Sequence, residues 1–336
     1  MLAYIVRRLI LSVFTIFVIS VLSFFIMELP PGDAATKFID ELMLSGEVAS
    51  VALAKTLRRE LRLDEPVAQR YAFWLGNLMR GKLGQSFQYF CNETPLQRPV
   101  RDLVGDRIWT TIALTGFTVI FTWTFAIPIG IYSAVRQHSI GDYVFTTLGF
   151  TGLAVPDFLL GLVLMYLAFA YLDQSVGGLF SGDFQSAAWD LARMWDLIKH
   201  LWIPAAVLGT SGTAGLIRVM RNNLLDELDK PYVVTARAKG VNPLKLIIKY
   251  PVRVAINPLV STVGYLLPHL ISGSVIVSVV LSLPTLGPVL LDSIIQLDVQ
   301  TAGFIILLLG IMTVLGTLIS DILLAVVDPR IKFTGR

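Results

Sequence analysis

The sequence predicts an all-α membrane protein that crosses the bilayer six times. Of its 336 residues, 55% are hydrophobic and 15% are charged, and the mean hydropathy is +0.71. Soluble domains average about 25% charged residues. A helix needs about 20 mainly apolar residues to cross the hydrocarbon core of a bilayer. Six runs approach or exceed this length: residues 9–27, 108–135, 143–171, 201–219, 258–283 and 302–327.

The first apolar run is predicted to be an uncleaved span. It follows Arg7 and Arg8, as the apolar region of a signal peptide would. It is nevertheless longer than such a region, and the sequence "ELPPGDAA" after it is a poor cleavage site.

Basic residues in the short loops predict the orientation. Arg7 and Arg8 place the N-terminus in the cytoplasm, and residues 218–253 lie on the same side because they hold eight basic and three acidic side chains. Residues 284–301 have two aspartates and no basic residue, and the loop 173–200 has four aspartates against Arg193 and Lys199. These two loops are therefore expected outside. The basic tail "DPRIKFTGR" returns the C-terminus to the cytoplasm.

The long segment 30–107 is expected outside although it holds eleven basic and ten acidic residues, because long loops are translocated largely regardless of charge. Pro66 begins a predicted helix that ends at Gly81. Its apolar positions have helical spacing: Val67, Tyr71, Trp74, Leu75 and Leu78. Two interpretations are open, a small external helical domain or an amphipathic hairpin on the membrane. We divide the chain into 1–107 and a five-helix core, 108–336, with a cytoplasmic coupling loop at 221–257.

Several classes of chemistry lack their residues. There is no G-x-x-x-x-G-K-[ST] phosphate loop and no H-E-x-x-H pair, and Cys91 is the only cysteine. We predict no catalytic residue and no metal or cofactor site, and the net charge of +3 does not suggest nucleic acid. The sequence "GTSG" leaves an intramembrane serine protease open, with Ser211 as nucleophile and His269 as base. The alternative is close helix packing at Gly209, Gly212 and Gly215.

The stretch "VVTARAKGVNPLK", residues 233–245, is unusual for a loop between spans. Pro231 suits the first position of a helix, and residues 232–239 continue it with small side chains. Gly240 suits a left-handed stop, and Pro243 suits the start of a second helix. The pattern fits a surface that docks on a partner or an ordinary basic cytoplasmic loop.

The segment "YVVTARAKGV" resembles the EAA loop of ABC importer permeases, in the form of the dipeptide and oligopeptide permease B family. The family pattern E-A-A-x-x-x-G falls on Val234, Thr235, Ala236 and Gly240, so the glutamate is absent. The segment "LSLPTLGP" resembles F-S-W-P-G-L-G, with Leu283 and Thr285 in place of Trp and Gly. The likeness extends nearly end to end through "RRL", "LPPGD", "LRLDEP", "GKLGQSF", "PVLLDSI" and "DPRI".

This resemblance implies the ABC type I importer permease fold and an importer of short peptides in the cytoplasmic (inner) membrane of a bacterium or archaeon. Oligosaccharides, opines and nickel complexes are alternative solutes in the same family. The implied partners are a homologous second permease subunit, two ATP-binding cassette subunits that bind ATP and Mg, an external solute-binding protein and the lipid bilayer. Six residues would form the ATPase-coupling helix: Thr235, Ala236, Arg237, Ala238, Lys239 and Gly240.

Polar residues within the spans are candidates for the translocation pathway. Four threonines share one face of span two: Thr111, Thr115, Thr118 and Thr122. They line the pathway or bond within and between helices. Asp157 follows Pro156 within span three, and His269 follows Pro268, where a break in span five would expose backbone. Asp321 in span six suits a structural ion pair. A secondary transporter would show two related halves, and no such internal repeat is visible.

Overall fold

The computed structural model of the chain describes residues 2–29, 59, 62, 64–86, 98–172, 177–184, 190–296 and 298–327. The described part is nearly all helical. Its α-helices are α1 (Leu2–Glu28), α2 (Val67–Met79), α3 (Val100–Val135), α4 (Ile140–Ala154), α5 (Asp157–Leu172), α6 (Leu191–Leu228), α7 (Pro231–Ala238), α8 (Pro243–Lys249), α9 (Pro251–Ala255), α10 (Asn257–Val280), α11 (Leu286–Ile295) and α12 (Val299–Val327).

Two short strands depart from the all-α prediction. β1 (Gln85–Ser86) pairs antiparallel with β2 (Arg98–Pro99). The hairpin is attached to the start of α12 through Asp298, a buried carboxylate. This carboxylate accepts hydrogen bonds from the hydroxyls of Ser86 and Thr301 and from the backbone N–H of Thr301. The end of the long segment between the first two predicted spans is therefore tied to a later helix.

Four described helices are long and apolar enough to cross a membrane, and they lie in α1, α3, α6 and α12. They contain the predicted runs 9–27, 108–135 and 201–219 and most of 302–327. The run 258–283 falls largely on α10, but the side chains of residues 263–274 lie outside the described part. The count of six spans stays a prediction.

The predicted run 143–171 is not one straight helix. α4 and α5 meet at an angle of 108°. Pro156 lies in the gap between them, and the residue before it, Val155, has φ −83° and ψ 127°, because a following proline disfavours helical backbone at that position. Pro156 then accepts the first hydrogen bonds of α5, from Leu159 and Leu160. Together the two helices form a broken span or a re-entrant segment.

α6 is the longest helix, and it extends beyond its predicted run in both directions. Its 38 residues correspond to about 57 Å, which exceeds the hydrocarbon thickness of about 30 Å. α6 begins at the Asp190 cap, whose side chain accepts from the backbone N–H of Arg193. Its C-terminal end is followed closely by α7, so α6 extends into the predicted coupling loop, 221–257.

The chain forms two compact units. One contains residues 1–10, 110–284 and 312–336, and its buried apolar side chains pack around α6, with Leu201, Val207 and Leu281 in one cluster and Met220 and Leu224 in another. The other contains residues 11–109 and 285–311. The sequence-based division at residue 107 concerns topology relative to the membrane and stays a prediction.

In the second unit, α1 contacts α12 on one side. Met27 packs against Gly303, where a Cβ atom would not fit, and a Cβ atom built at Gly310 would lie 2.6 Å from Cγ2 of Ile19. The two glycines are seven residues apart and so lie on one helix face. Small residues of this kind let helices approach closely where lipid supplies no hydrophobic driving force.

Candidate coupling surface and translocation path

The predicted turn around Gly240 is confirmed. α7 begins with Pro231 at its first position, and Gly240 has a φ of +75°. The backbone N–H of Gly240 donates to the carbonyl of Arg237, and that of Val241 donates to the carbonyl of Ala236. A glycine adopts this left-handed conformation without steric cost. The chain therefore reverses sharply directly after the predicted coupling residues.

The second predicted helix is also present. The Asn242 side chain caps α8 by accepting from the backbone N–H of Leu244 at 3.0 Å, and Pro243 occupies the first helical position. Both features are common starts of helices.

The coupling segment has one anchored face and one exposed face. Val233 and Ala236 of α7 are buried against Leu246 of α8, so Ala236 packs inward. The exposed residues of the predicted set are Thr235, Arg237, Ala238, Lys239 and Gly240. Val234, which precedes them, is also exposed, at 51%. This mixture of apolar, small and basic side chains is presented by a helix whose other face is fixed in place.

A side-chain hydrogen bond joins the start of α7 to the end of α6. The Tyr232 hydroxyl donates to the Glu227 carboxylate at 2.6 Å. Burial, and secondarily the Glu227 carboxylate, raises the pKa of the Tyr232 phenol to about 12. Only Asp229 and Lys230 separate the two helices. The two helices are therefore linked by a two-residue connection and by this hydrogen bond.

A buried ion pair holds α4 against α6. The Arg221 guanidinium donates two hydrogen bonds to the Asp142 carboxylate, at 3.2 and 3.1 Å. The backbone N–H of His138 adds a third at 3.0 Å. Asp142 is 3% exposed. Its own backbone N–H donates to the hydroxyl of Ser139, which caps α4.

Sequence reasoning missed this pair. A local signal was present, because the Ser139-x-x-Asp142 spacing is typical of a capping box. The partner, Arg221, is 79 residues further along the chain. No local pattern identifies it.

The four threonines predicted to line a pathway are all buried. Their exposed fractions are 4%, 6%, 0% and 2% for Thr111, Thr115, Thr118 and Thr122 respectively. The Thr118 hydroxyl donates to the Leu114 carbonyl of its own helix, which is the alternative role considered for this face. A solute reaches these side chains only if the surrounding helices separate, and their pathway role stays a prediction.

The structure describes the side chains of two of the three remaining intramembrane candidates. Asp157 is half-buried in the first turn of α5, where the helix dipole favours an acid. The side chain of His269 lies outside the described residues, and α10 continues through Pro268 without the expected break. Asp321 forms the expected ion pair, with Arg8, at 2.8 Å.

The segment "LSLP" at residues 281–284 forms a tight turn after α10. Ser282 has a φ of +53°, and Leu281 and Leu283 are buried. The carbonyl of Leu281 accepts from the backbone N–H of Gly178 at 2.9 Å, and that of Pro284 accepts from the Thr110 hydroxyl. Sequence reasoning noted this segment only by resemblance. The structure shows that it is held from two directions.

No group of three or more His, Cys, Asp or Glu side chains capable of holding a metal ion occurs in the part of the chain that the structure describes. The buried polar residues of this part are engaged chiefly in caps and ion pairs, as at Asp142, or in helix backbone contacts, as at Thr118.

Comparison with known families identifies the family to which this chain belongs. Residues 126–333 match the family described as the inner membrane component of binding-protein-dependent transport systems, and residues 1–115 match the N-terminal region of such components. The chain belongs to this family. The first match contains α6, the coupling segment and α10 to α12, so it covers every residue of the exposed surface described above.

Members of the family that match the chain do so over almost its whole length. The oligopeptide transport system permease protein AppB of Bacillus subtilis (strain 168) is 34% identical over 333 residues, which cover 99% of this chain and 100% of the relative. The dipeptide transport system permease protein DppB of Escherichia coli (strain K12) is 31% identical over 350 residues, which cover 99% of each chain.

A solved structure has the same fold as a large part of this chain. It is an inward facing conformation of the MetNI methionine ABC transporter, with a TM-score of 0.54 over 69% of this chain and 100% of the other. The sequence identity is 18%, so the likeness concerns the fold alone. The solved fold and the family match therefore support the same architecture for this chain.

Proposed function

We propose that this chain is the membrane-spanning permease subunit of an ATP-driven ABC importer for short peptides. The proposal is supported by relatives named as oligopeptide and dipeptide permeases that match from end to end. Oligosaccharides, opines and nickel complexes are the alternative solutes. The chain itself is not catalytic in this proposal, because ATP and Mg bind to partner subunits.

The proposed assembly contains a second permease of similar fold, two ATP-binding cassettes and an external solute-binding protein. We place both termini of this chain in the cytoplasm of a bacterial or archaeal cell with the six spans in its inner membrane. The eight basic residues of 218–253 support this orientation, since basic residues accumulate in cytoplasmic loops. The exposed face of α7 then points to the compartment where cassettes bind ATP.

The observation that carries the coupling role is the two-faced packing of α7. Its inner face is fixed by Val233 and Ala236, and its outer face presents Thr235, Ala238 and the basic residues Arg237 and Lys239. Small side chains permit close seating in a groove, and basic ones suit acidic residues of a partner. Cassette closure would move α7 and with it α6. The Asp142–Arg221 pair would carry the displacement to α4.

Gly240 gives the sharpest test of this mechanism. A Cβ atom built at this position meets nothing within 4 Å, so a substitution acts through the backbone rather than through a clash. Left-handed backbone costs an ordinary residue about 1–2 kcal/mol, and β-branched residues tolerate it least. We expect Gly240→Val to lower peptide uptake and peptide-stimulated ATP hydrolysis by the reconstituted complex. Gly240→Asn is the matched control, because asparagine tolerates this conformation, and it should retain most activity.

Both variants must first be shown to insert and assemble. Normal uptake by the assembled valine variant would refute the docking role of this turn. Equal loss in both variants would show that bulk, not backbone conformation, is limiting. The solute is tested separately by competition, in which unlabelled dipeptides and tripeptides, but not oligosaccharides, should suppress uptake of a labelled peptide.

A further inference from the structure

The helix α2, in the long segment between the first two predicted spans, packs directly on α1. The Tyr71 hydroxyl hydrogen-bonds with the Ser20 hydroxyl at 2.7 Å. Arg70 pairs with Glu28 at 2.6 Å. Phe24 of α1 lies 5.5 Å from the ring of Tyr71 and 5.8 Å from that of Trp74, measured between ring centroids. These contacts fix one face of α2 on the C-terminal half of α1.

The position of Ser20 along α1 determines how deep in the membrane this contact lies. Ser20 precedes Glu28, the last residue of the candidate span, by eight positions, which is about 12 Å along a helix. The α1 surface beside the contact is exposed and apolar at Leu22, Phe25 and Ile26. A tyrosine hydroxyl at that depth needs a protein partner, because the hydrocarbon region offers none. Ser20 provides it.

The charge of α2 does not fit a helix of an aqueous domain. Among its thirteen residues, VAQRYAFWLGNLM, the only charged one is Arg70, and that residue is paired with Glu28. No residue of α2 is fully buried, so much of an almost uncharged helix remains uncovered by the described part of the chain.

The uncovered surface has two edges of different polarity. We define the lipid stripe as Ala68, Ala72 and Met79, which are all exposed and recur at helical spacing along one flank. Met79 is 83% exposed. The polar edge contains Gln69 and Arg80, both exposed. An apolar flank beside a polar edge is one feature of helices that lie in the plane of a membrane interface.

Basic side chains stand at both ends of α2. Arg62 precedes it and covers the ring of Phe73, with its guanidinium carbon 4.2 Å from the ring centroid. Arg80 and Lys82 follow it and are exposed. The long stems of such residues can lie along apolar surface while their charged ends reach the level of lipid phosphates.

We infer that α2 is a membrane-interface helix, and that its lipid stripe contacts the acyl region of the leaflet at the C-terminal end of α1. The occupant is lipid because the stripe continues the exposed apolar surface of α1 at a depth fixed by the Ser20–Tyr71 bond. The inference rests on the proposed orientation only for naming this leaflet the outer one. Its consequence is that α2 braces the end of α1 against the bilayer.

Spin labels on single cysteines test this inference. With Cys91 replaced by serine, cysteines are introduced at Ala72 and Met79 in the lipid stripe, at Gln69 on the polar edge, and at Asp64, an exposed position before the helix. Each labelled complex, in lipid nanodiscs without the binding protein, is exposed to oxygen, which partitions into lipid, and to a water-soluble nickel chelate. We expect oxygen to relax labels at 72 and 79 more strongly than nickel, with the reverse order at 64 and a smaller oxygen preference at 69.

Each alternative has its own signature. Strong relaxation by nickel at 72 and 79, equal to that at 64, would place α2 in water and overturn the inference. Protection of both labels from both reagents would show that protein covers the stripe, which also overturns it. Peptide uptake is measured separately on the same labelled variants, reconstituted into closed vesicles with the binding protein, so a wrong solute or a failed importer assignment would leave the accessibility result unaffected.

Discussion

Replacing Asp142 with asparagine removes the charge of the buried pair while keeping the shape of the side chain. The carboxylate is 3% exposed and accepts two hydrogen bonds from Arg221 and one from the His138 backbone. Breaking a buried pair costs about 3–5 kcal/mol. The Arg221 side chain keeps 24% of its surface exposed. Water therefore still solvates part of the guanidinium in the variant, which lowers the cost. We therefore expect Asp142→Asn to lower the free energy of unfolding by about 2–3 kcal/mol.

The reverse perturbation should cost more. Arg221→Met leaves the buried Asp142 carboxylate without its charged partner and with little access to water. We therefore expect the free energy of unfolding to fall by about 3–5 kcal/mol. The double variant should lose less than the sum of the two single losses, by a coupling energy of about 2 kcal/mol. Unfolding of the purified chain by a denaturing detergent, followed by tryptophan fluorescence, measures all three variants.

A surface pair supplies the control for this cycle. Arg62 and Glu65 are 3.4 Å apart with side chains 46% and 36% exposed, and Glu65→Gln should change the free energy of unfolding by less than about 1 kcal/mol. A coupling energy between Asp142 and Arg221 below about 0.5 kcal/mol would refute the reasoning. The ion pair would then contribute no more to holding α4 against α6 than an exposed pair contributes.

Two further predictions concern α6 and the helix that follows it. Gly209→Val should destabilise the fold by about 1–3 kcal/mol, because a Cβ atom built at Gly209 lies 3.0 Å from Phe121 and from the Thr122 hydroxyl. Gly215→Val should be nearly neutral, because a Cβ atom built there meets nothing within 4 Å. Equal thermal stability of the two variants would contradict this prediction. The raised pKa of Tyr232, about 12, means that the fold favours the neutral phenol. Its contribution to stability is present below about pH 10 and is lost as the pH rises through about 12. Comparison with Tyr232→Phe by ultraviolet titration and alkaline unfolding checks this, and an identical alkaline loss in both proteins would count against it.

Features governed by neighbouring residues were predictable. Pro231, Gly240 and Pro243 each act on the backbone within a few positions, and the structure has a helix start, a left-handed residue and a second helix start there. The helix between Pro66 and Gly81 followed from the same local chemistry, with its bounds at Val67 and Met79. The coupling role was predicted from the family likeness and stays a proposal, which the two-faced packing of α7 supports.

Local signals were insufficient where two effects compete. Pro268 and Pro156 both lie within apolar runs, yet α10 continues through the first while the second separates α4 from α5 by a bend of 108°. The identity of the residue does not decide between a tolerated proline and a break, because neighbouring helices determine whether the freed backbone groups are satisfied. The same limit applies to the four threonines of α3, whose period predicted a shared face but not that this face is buried.

The sequence by itself determined the class of molecule: a chain too apolar for water, with basic short segments that predict its orientation and a helix–glycine–helix surface at residues 231–249. These properties depend on composition and on spacings of a few residues. Only the tertiary structure decided which distant residues meet. Asp142 finds Arg221 across 79 positions and Tyr71 finds Ser20 across 51, because such contacts are selected by the packing of whole helices, where a buried or membrane-embedded polar group must have a partner.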